Sequence, residues 1–353
     1  MESGMQDMRS MLPEELEKAM VALGEKPFRA KQIFQWLNRG AERFDEMTNL
    51  PQALREKLDV NFTLSVPQLL DKQISRDGTI KYLWSFEDGN CVETVLMGYK
   101  HGNTVCISTQ VGCRMGCTFC ASAIGGLVRN LEPSEMLGQV FFTAKDSGSA
   151  VSNIVLMGIG EPLDNFERVL RFLKLVNHPD GLHIGMRHIT LSTCGLVEEI
   201  DKLGEHNIQL TLSVSLHAPD DATRNRLVPI NRKGGVDALM AACKRYFART
   251  GRRVSFEYAM IDGVNDSPAQ ADLLAERVLD AGGHINLIPL NPIAERTLGP
   301  GGQTNLGQFT ERLRGRGVNV TVRRTLGQDI DASCGQLRRR REQTQDILTS
   351  RDR

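Results

Sequence analysis

Three cysteines fall within eight residues in Val111-Gly-Cys-Arg-Met-Gly-Cys-Thr-Phe-Cys120, at a C-x3-C-x2-C spacing. Thiolates on one tight loop can each hold one iron of a cubane iron–sulfur cluster, whose complete form has four cysteine ligands. No fourth cysteine is close in sequence to Cys113, Cys117 and Cys120, so one iron would stay open to bind and activate a small molecule. Gly112 and Gly116 let such a loop fold around a bulky inorganic object. A zinc site is the competing reading, but it wants a fourth Cys or His at regular spacing. None is near.

The other candidates are weaker when taken singly. Cys334 lies in Gly-Gln-Asp-Ile-Asp-Ala-Ser-Cys-Gly-Gln, a polar stretch of small residues that reads as an accessible, reactive thiol or as a bland loop cysteine. Cys243, in the apolar run LMAACKRYF, reads as structural. Cys106 in TVCIST reads as a buried strand cysteine, and Glu93 in CVETVLM as an outward-facing acid of a hairpin. Gly160-Glu161-Pro162 is a turn opening a helix, or a glycine that allows backbone to approach a ligand. Ser192, Ser215, Leu216, His217 and Asn291 fall at strand ends or turns, where either a structural or a binding role fits.

Something must position these residues. Residues 12 to 60 read as helical: Leu12, Leu16, Met20 and Leu23 recur at helical spacing, and FRAKQIFQWLNRG and PQALREKL follow. TIKYLWSF and CVETVLM, separated by Glu87-Asp88-Gly89-Asn90, form a hairpin. Strand candidates then follow at 104–109, 153–159, 188–193, 209–216, 253–261, 284–290 and 319–324. The helical stretches PSEMLGQVFFTAK, FERVLRFLKLV, DALMAACKRYF, AQADLLAERVL and GQFTERLRG lie between them. Such alternation implies a mainly parallel sheet, open or closed into an α/β barrel. The chemistry-bearing residues follow the strands, where this architecture places its sites.

Composition narrows the class. The chain has 353 residues, 24% charged and 41% hydrophobic, with 43 basic and 43 acidic residues, which suits a globular protein and argues against wholesale disorder. It holds no apolar stretch of membrane-spanning length and no basic-then-apolar leader, so a cytoplasmic protein is expected. Disulfide scaffolding is not expected of such a chain. From residue 311 to 353 there are 11 arginines against 6 acids, with four in a row at Arg338–Arg341. From 26 to 43 there are five basic residues and one acid, interleaved with Phe28, Phe34 and Trp36. Either segment could hold RNA phosphates or be a solvated helix face.

C-x3-C-x2-C after the first barrel strand resembles the radical S-adenosylmethionine (SAM) superfamily. In chain order, GCRMGCTFCASAIGGLVRNL, MGIGEPLDN, RHITLSTCGL, SVSLHAPDDATRNRLVPIN, NLIPLNP and RRTLGQDIDASCGQL resemble the RlmN branch of the RlmN/Cfr methyltransferases. The resemblance runs from about Phe28 to Leu337. It implies a partial (β/α)6-type radical SAM barrel with a small N-terminal helical accessory domain and a linking β-hairpin. The chain divides accordingly into a helical, RNA-binding unit at 1–65, a hairpin linker at 66–98, a radical SAM core at 99–337 and a basic tail at 338–353.

The activity implied is methylation of C2 of adenosine 2503 in 23S rRNA and of adenosine 37 in tRNAs, with two SAM molecules per turnover. Adenine C2 is not a nucleophile, so direct transfer from a sulfonium fails and a radical route is needed. In the family's chemistry one SAM methylates an enzyme cysteine, here Cys334. A second is cleaved by a [4Fe-4S] cluster on Cys113, Cys117 and Cys120 to a radical that takes hydrogen from that methyl. The carbon then adds to the base. Cys106 matches the thiol that resolves the adduct through a transient disulfide, and Glu93 the proton acceptor. Gly160, Glu161, Ser192, Ser215, Leu216, His217 and Asn291 match positions that line SAM, and Cys194 stands where serine is expected. Flavodoxin with its reductase is the implied electron donor, and a monomer the implied state. Lys26, Arg29, Lys31, Arg39 and Arg338–Arg341 are the candidate phosphate contacts. The alternatives are C8 methylation of the same adenosine, a non-enzymatic iron–sulfur carrier, and a zinc-stabilised RNA-binding module.

Overall fold

The computed structural model describes residues 5–289, 303–324, 326–327, 329–330 and 337–338. Asn291, Cys334 and Arg339–Arg341 lie outside the described residues.

The main sheet has ten strands: β1 Gln68–Ile74, β2 Ile80–Ser85, β3 Cys91–Tyr99, β4 Gly102–Cys106, β5 Val151–Leu156, β6 Ile189–Thr193, β7 Thr211–Ser215, β8 Ser255–Met260, β9 His284–Pro289 and β10 Val320–Val322. Their spatial order is their chain order from one edge to the other. Strands β1 to β4 pair antiparallel, and β4 through β10 form a parallel arc of seven. The expected hairpin is present as β2 and β3. It is not a separate linker: β1 extends it, and β3 pairs with β4, so it continues the barrel sheet.

Helices α4 (Pro133–Ser147), α5 (Phe166–Asn177), α6 (Val197–Glu205), α7 (Asp221–Leu227), α8 (Gly235–Thr250), α9 (Pro268–Asp280) and α10 (Gln303–Gly315) connect the strands of the arc. Strand alternation decides which face they cover. Leu191, Leu212, Val214, Phe256 and Leu287 belong to the buried apolar core. Their neighbours on the opposite face, Thr190, Ser192, Thr211, Ser213, Ser215, Ser255 and Glu257, pair with one another across the parallel ladders. The interior of the arc is therefore lined with small hydroxyls, a polar surface on which a ligand can lie.

Helices α1 (Pro13–Ala22), α2 (Arg29–Asn38) and α3 (Gln52–Asn61) form the N-terminal unit, closed by a parallel pairing of Gln6–Asp7 with Phe62–Thr63. Buried Arg9 donates to the carbonyls of Leu37 (3.0 Å) and Ala41 (2.7 Å), and its guanidinium lies 5.7 Å from the Phe141 and Phe142 rings of α4. The unit and the barrel thus share one apolar core. No helix among the described residues is long and apolar enough to cross a membrane.

Candidate active site

Strand β4 ends at Cys106, and the chain then runs Ser108-Thr109-Gln110 into a two-stranded ribbon, Gln110–Gly112 with Leu127–Asn130, which closes the cysteine loop. Gln139 of α4 holds the entry: its side chain accepts from the Ser108 N–H (2.8 Å) and donates to the Ser108 carbonyl (3.0 Å). Gly112 has φ +76°, and a Cβ there would sit 2.0 Å from the Gly126 carbonyl oxygen, so no other residue fits. The loop is pinned on its far side by the Thr118 N–H on the Leu227 carbonyl (3.0 Å). Arg114 reaches outward to Asp164.

The three thiols belong to one electrostatic unit. Burial, with repulsion from Cys120, Glu161 and Asp164, pushes Cys113 up to about 12. Burial and the charges of Cys120 and Cys113 raise Cys117 as well. Three thiolates coexist there only with a cation among them. No three His, Cys, Asp or Glu side chains among the described residues converge to hold a single ion. The buried hydroxyls of Thr109 and Ser122, on the segments either side of the cysteine loop, have no hydrogen-bond partner among the described residues. The donor set fits the cluster.

The turn after β5 is built differently from its sequence reading. Gly160 has φ +109°, and a Cβ would meet the Gln110 N at 2.8 Å, so glycine is required by the neighbouring loop. The Glu161 side chain is buried. It accepts from the Leu163 N–H (3.1 Å) and the Cys194 N–H (2.7 Å), while its own N–H donates to Gln110 (2.8 Å). Burial raises its carboxyl. Of the Glu161 backbone, the N–H is thus engaged and the carbonyl accepts from the Asp164 N–H (3.1 Å), so a ligand at this turn would meet backbone carbonyls. Cys194 is buried against the same carboxylate, and its thiol is pushed well up by burial.

Ser192 and Ser215 lie at the ends of β6 and β7 on the interior face. Leu216 is buried, and its carbonyl accepts from Arg224 (2.9 Å). His217 has φ +56°, an uncommon conformation for a residue with a side chain. Asn265 holds it there, donating to the carbonyls of His217 and Ala259 (both 2.7 Å). The Ala259 N–H donates to His217 Nδ1 (3.0 Å), so the ring proton is assigned to Nε2. Burial drops the imidazole to about 3 and keeps it neutral. Phe119 of the cysteine loop packs edge-on against it at 4.7 Å.

Sequence reasoning missed Arg224. Its guanidinium is 1% exposed and donates to the carbonyls of Leu216, Cys194 (2.5 Å) and Ser215 (3.1 Å) and to Asn231 Oδ1 (2.6 Å), tying together the turns after β6 and β7. A cleft of about 690 Å³ opens beside it between the N-termini of α5, α6 and α8. None of the candidate SAM residues lines that cleft, so it is distinct from the interior face.

On the other side of the cysteine loop, Glu93 points inward and is 3% exposed, contrary to its reading as an outward hairpin acid. Val95 of β3 pairs with Cys106 of β4, so Glu93, Val95 and Cys106 share the interior face. Glu93 Oε2 lies 2.9 Å from Lys81 Nζ, and Oε1 accepts from the Arg338 N–H at 2.7 Å. The segment expected to be a tail from 338 onward is therefore bonded to a central strand at its first residue. Upstream, the Gly327 N–H donates to Asp77 (2.8 Å) and Asp329 accepts from Ser75 and the Arg76 N–H. There is no disulfide among the described residues.

Comparison with known proteins agrees with this geometry. The radical SAM superfamily model matches residues 107–274, and the model of the ribosomal RNA large subunit methyltransferase N-terminal domain matches 6–64. The chain belongs to the RlmN family of radical SAM RNA methyltransferases. A protein of Alkaliphilus metalliredigens named "probable dual-specificity RNA methyltransferase RlmN" is 49% identical over 335 residues, 95% of both chains. One of the same name from Desulforamulus reducens is 51% identical, covering 95% of this chain and 97% of its own. The crystal structure of a radical SAM methyltransferase from Sphaerobacter thermophilus matches with a TM-score of 0.90 at 44% identity, over 94% of this chain and 98% of that one. Membership implies a [4Fe-4S] cluster and SAM. A non-enzymatic carrier or zinc module is thereby set aside.

Proposed function

We propose that the protein methylates C2 of adenosine 2503 in 23S rRNA and of adenosine 37 in tRNAs, with Cys334 as methyl carrier, Cys106 as resolving thiol and Glu93 as proton acceptor. The observation that carries the reading is the placement of Glu93 and Cys106 on one interior face, on the strands that lead into the cysteine loop. Cys113, Cys117 and Cys120 would hold the cluster, leaving one iron for SAM. The hydroxyls of Ser192 and Ser215, the backbone at Gly160–Glu161, His217 and Asn291 would orient SAM along the arc. When bound, the cluster and SAM would supply the methyl group, the carbon radical that activates it and a one-electron acceptor.

The protein's own groups do the rest. Cys334 carries the one-carbon unit to the base. Glu93 removes the C2 proton from the adduct, and the C–H electron pair stays in the ring. The Cys106 thiolate then attacks the Cys334 sulfur: the S–S bond forms, the S–C bond breaks, and the carbon keeps the pair and gains a proton as methyl. A two-electron reductant restores both thiols. Flavodoxin and its reductase are the proposed donor to the cluster, and the basic faces of the N-terminal unit the proposed RNA contacts.

The test is anaerobic turnover of reconstituted protein on an rRNA fragment and a tRNA, with nucleosides resolved against 2-methyl- and 8-methyladenosine. The proposal expects 2-methyladenosine from both RNAs and none from Cys334→Ala. If 8-methyladenosine appears, the C2 assignment falls; product from Cys334→Ala would remove the methyl carrier.

A further inference from the structure

Lys81 and Glu93 form the most deeply buried ion pair among the described residues, with the lysine side chain 0% and the glutamate 3% exposed. Desolvating such a pair costs about as much as its attraction returns, and well-packed apolar residues would serve a sheet as well or better. Stability therefore does not explain it. Its position does. Lys81 pairs in register with Val95, Leu83 with Glu93, and Val95 with Cys106, so all five side chains share the interior face. Glu93 meets Lys81 and the Arg338 N–H directly, and Leu83 is its register partner on β2.

We infer that Lys81 is a positioning residue for the proton transfer: its ammonium, with the Arg338 N–H, fixes the Glu93 carboxylate and balances its charge inside the sheet. This rests on the reading of Glu93 as proton acceptor. In the step, the C2–H bond breaks and an O–H bond forms on Glu93. The C–H pair stays in the ring, and the bound cluster would be the acceptor of the adduct's one surplus electron.

The experiment is single turnover of the reconstituted full chain on the rRNA fragment between about pH 6 and 9, reading 2-methyladenosine, covalent protein–RNA adduct on denaturing gels, and Tm. In Lys81→Met, product at neutral pH should fall at least about tenfold, adduct should accumulate, and the rate should recover as pH rises. Lys81→Arg should restore most of the neutral-pH rate. Added to Glu93→Gln, Lys81→Met should cost nothing further, because it acts through the same group. A loss equal at every pH, or one that multiplies with that of Glu93→Gln, would overturn the role of Lys81 while leaving Glu93 as base. Wild-type product from Glu93→Gln would overturn both.

Discussion

Two buried glutamates face the interior of the same sheet and are held in opposite ways. In the parallel arc, Glu257 accepts from the hydroxyls of Ser213 (2.7 Å) and Ser255 (3.1 Å) and from Asn286 Nδ2 (2.8 Å), all neutral donors on its own and neighbouring strands. In the antiparallel wing, Glu93 is held by an ammonium and one backbone N–H. The first is locked by local ladders into a fixed floor. The second depends on a buried cation and on a segment far away in sequence, which suits the proposed proton acceptor. On that proposal the sheet divides its labour, with a hydroxyl-lined arc to hold SAM and a charged wing to finish the reaction. Cys106 sits on β4, the strand common to both.

The comparison can be broken or sharpened in several ways. Cys113→Ala, Cys117→Ala or Cys120→Ala should silence both regions, abolishing the visible absorbance of the reconstituted cluster and SAM cleavage alike; a brown, SAM-cleaving variant would refute the ligand set. Glu93→Gln should lower methylation by about 10²–10⁴-fold, and by breaking the buried pair with Lys81 it should also lower Tm. Glu257→Gln should cost about 1–3 kcal/mol of stability through a misplaced donor while turnover stays within about tenfold. If the two variants behave alike, the division fails.

Arg224→Met strands three carbonyls and should cost about 3 kcal/mol or more by denaturant unfolding, with the turns after β6 and β7 loosened. His217 sharpens the arc by pH. Its folded value, about 3, lies below the unfolded 6.5, so the unfolded chain binds the extra proton first. Stability from this group is full above pH 6.5 and drains away as pH falls towards 3. His217→Asn should flatten that slope in urea titrations. The smallest effect belongs to the N-terminal unit: Lys26→Glu, Arg29→Glu and Arg39→Glu should each weaken RNA binding a few-fold and reduce its salt dependence by about one ion. Lys31 should matter less, because it is already paired with Asp180 at 3.2 Å. An unchanged salt slope would remove this surface from the RNA site.

The parts of the site legible in the sequence are those set by local spacing: the cysteine loop, the serines at alternate strand positions, and the strands themselves, found within a few residues of their ends. What stayed hidden depends on register or on tertiary bonds. Lys81 in TIKYLWSF looks like an edge charge until β2 is aligned with β3, when its partner proves to be twelve residues away. Strand β1 is an exposed edge of mixed polarity, so QLLDKQI carries no clean alternation. Helix α7, DATRNRL, has no apolar stripe; Asp220 caps it through the Thr223 N–H at 2.7 Å, and its buried side is the guanidinium of Arg224. Gly160 was visible, but its cause was not, since Gln110 lies fifty residues earlier in the chain.

The strand order has a consequence for biosynthesis. Every strand of the main sheet is laid against the one made just before it, and none is inserted between two already in place. The sheet can therefore grow at a single advancing edge as the chain is synthesised from its N-terminus. The bonds that do not follow this rule join Ser75–Asp77 and Glu93 to residues 327–338, with Gly327 bonding to Asp77 across 250 positions. A growing chain would carry a nearly complete barrel, with Glu93 still unsecured on one side, until residues 327–338 arrive. The proposed proton acceptor is thus secured only after the sheet that shelters it has formed.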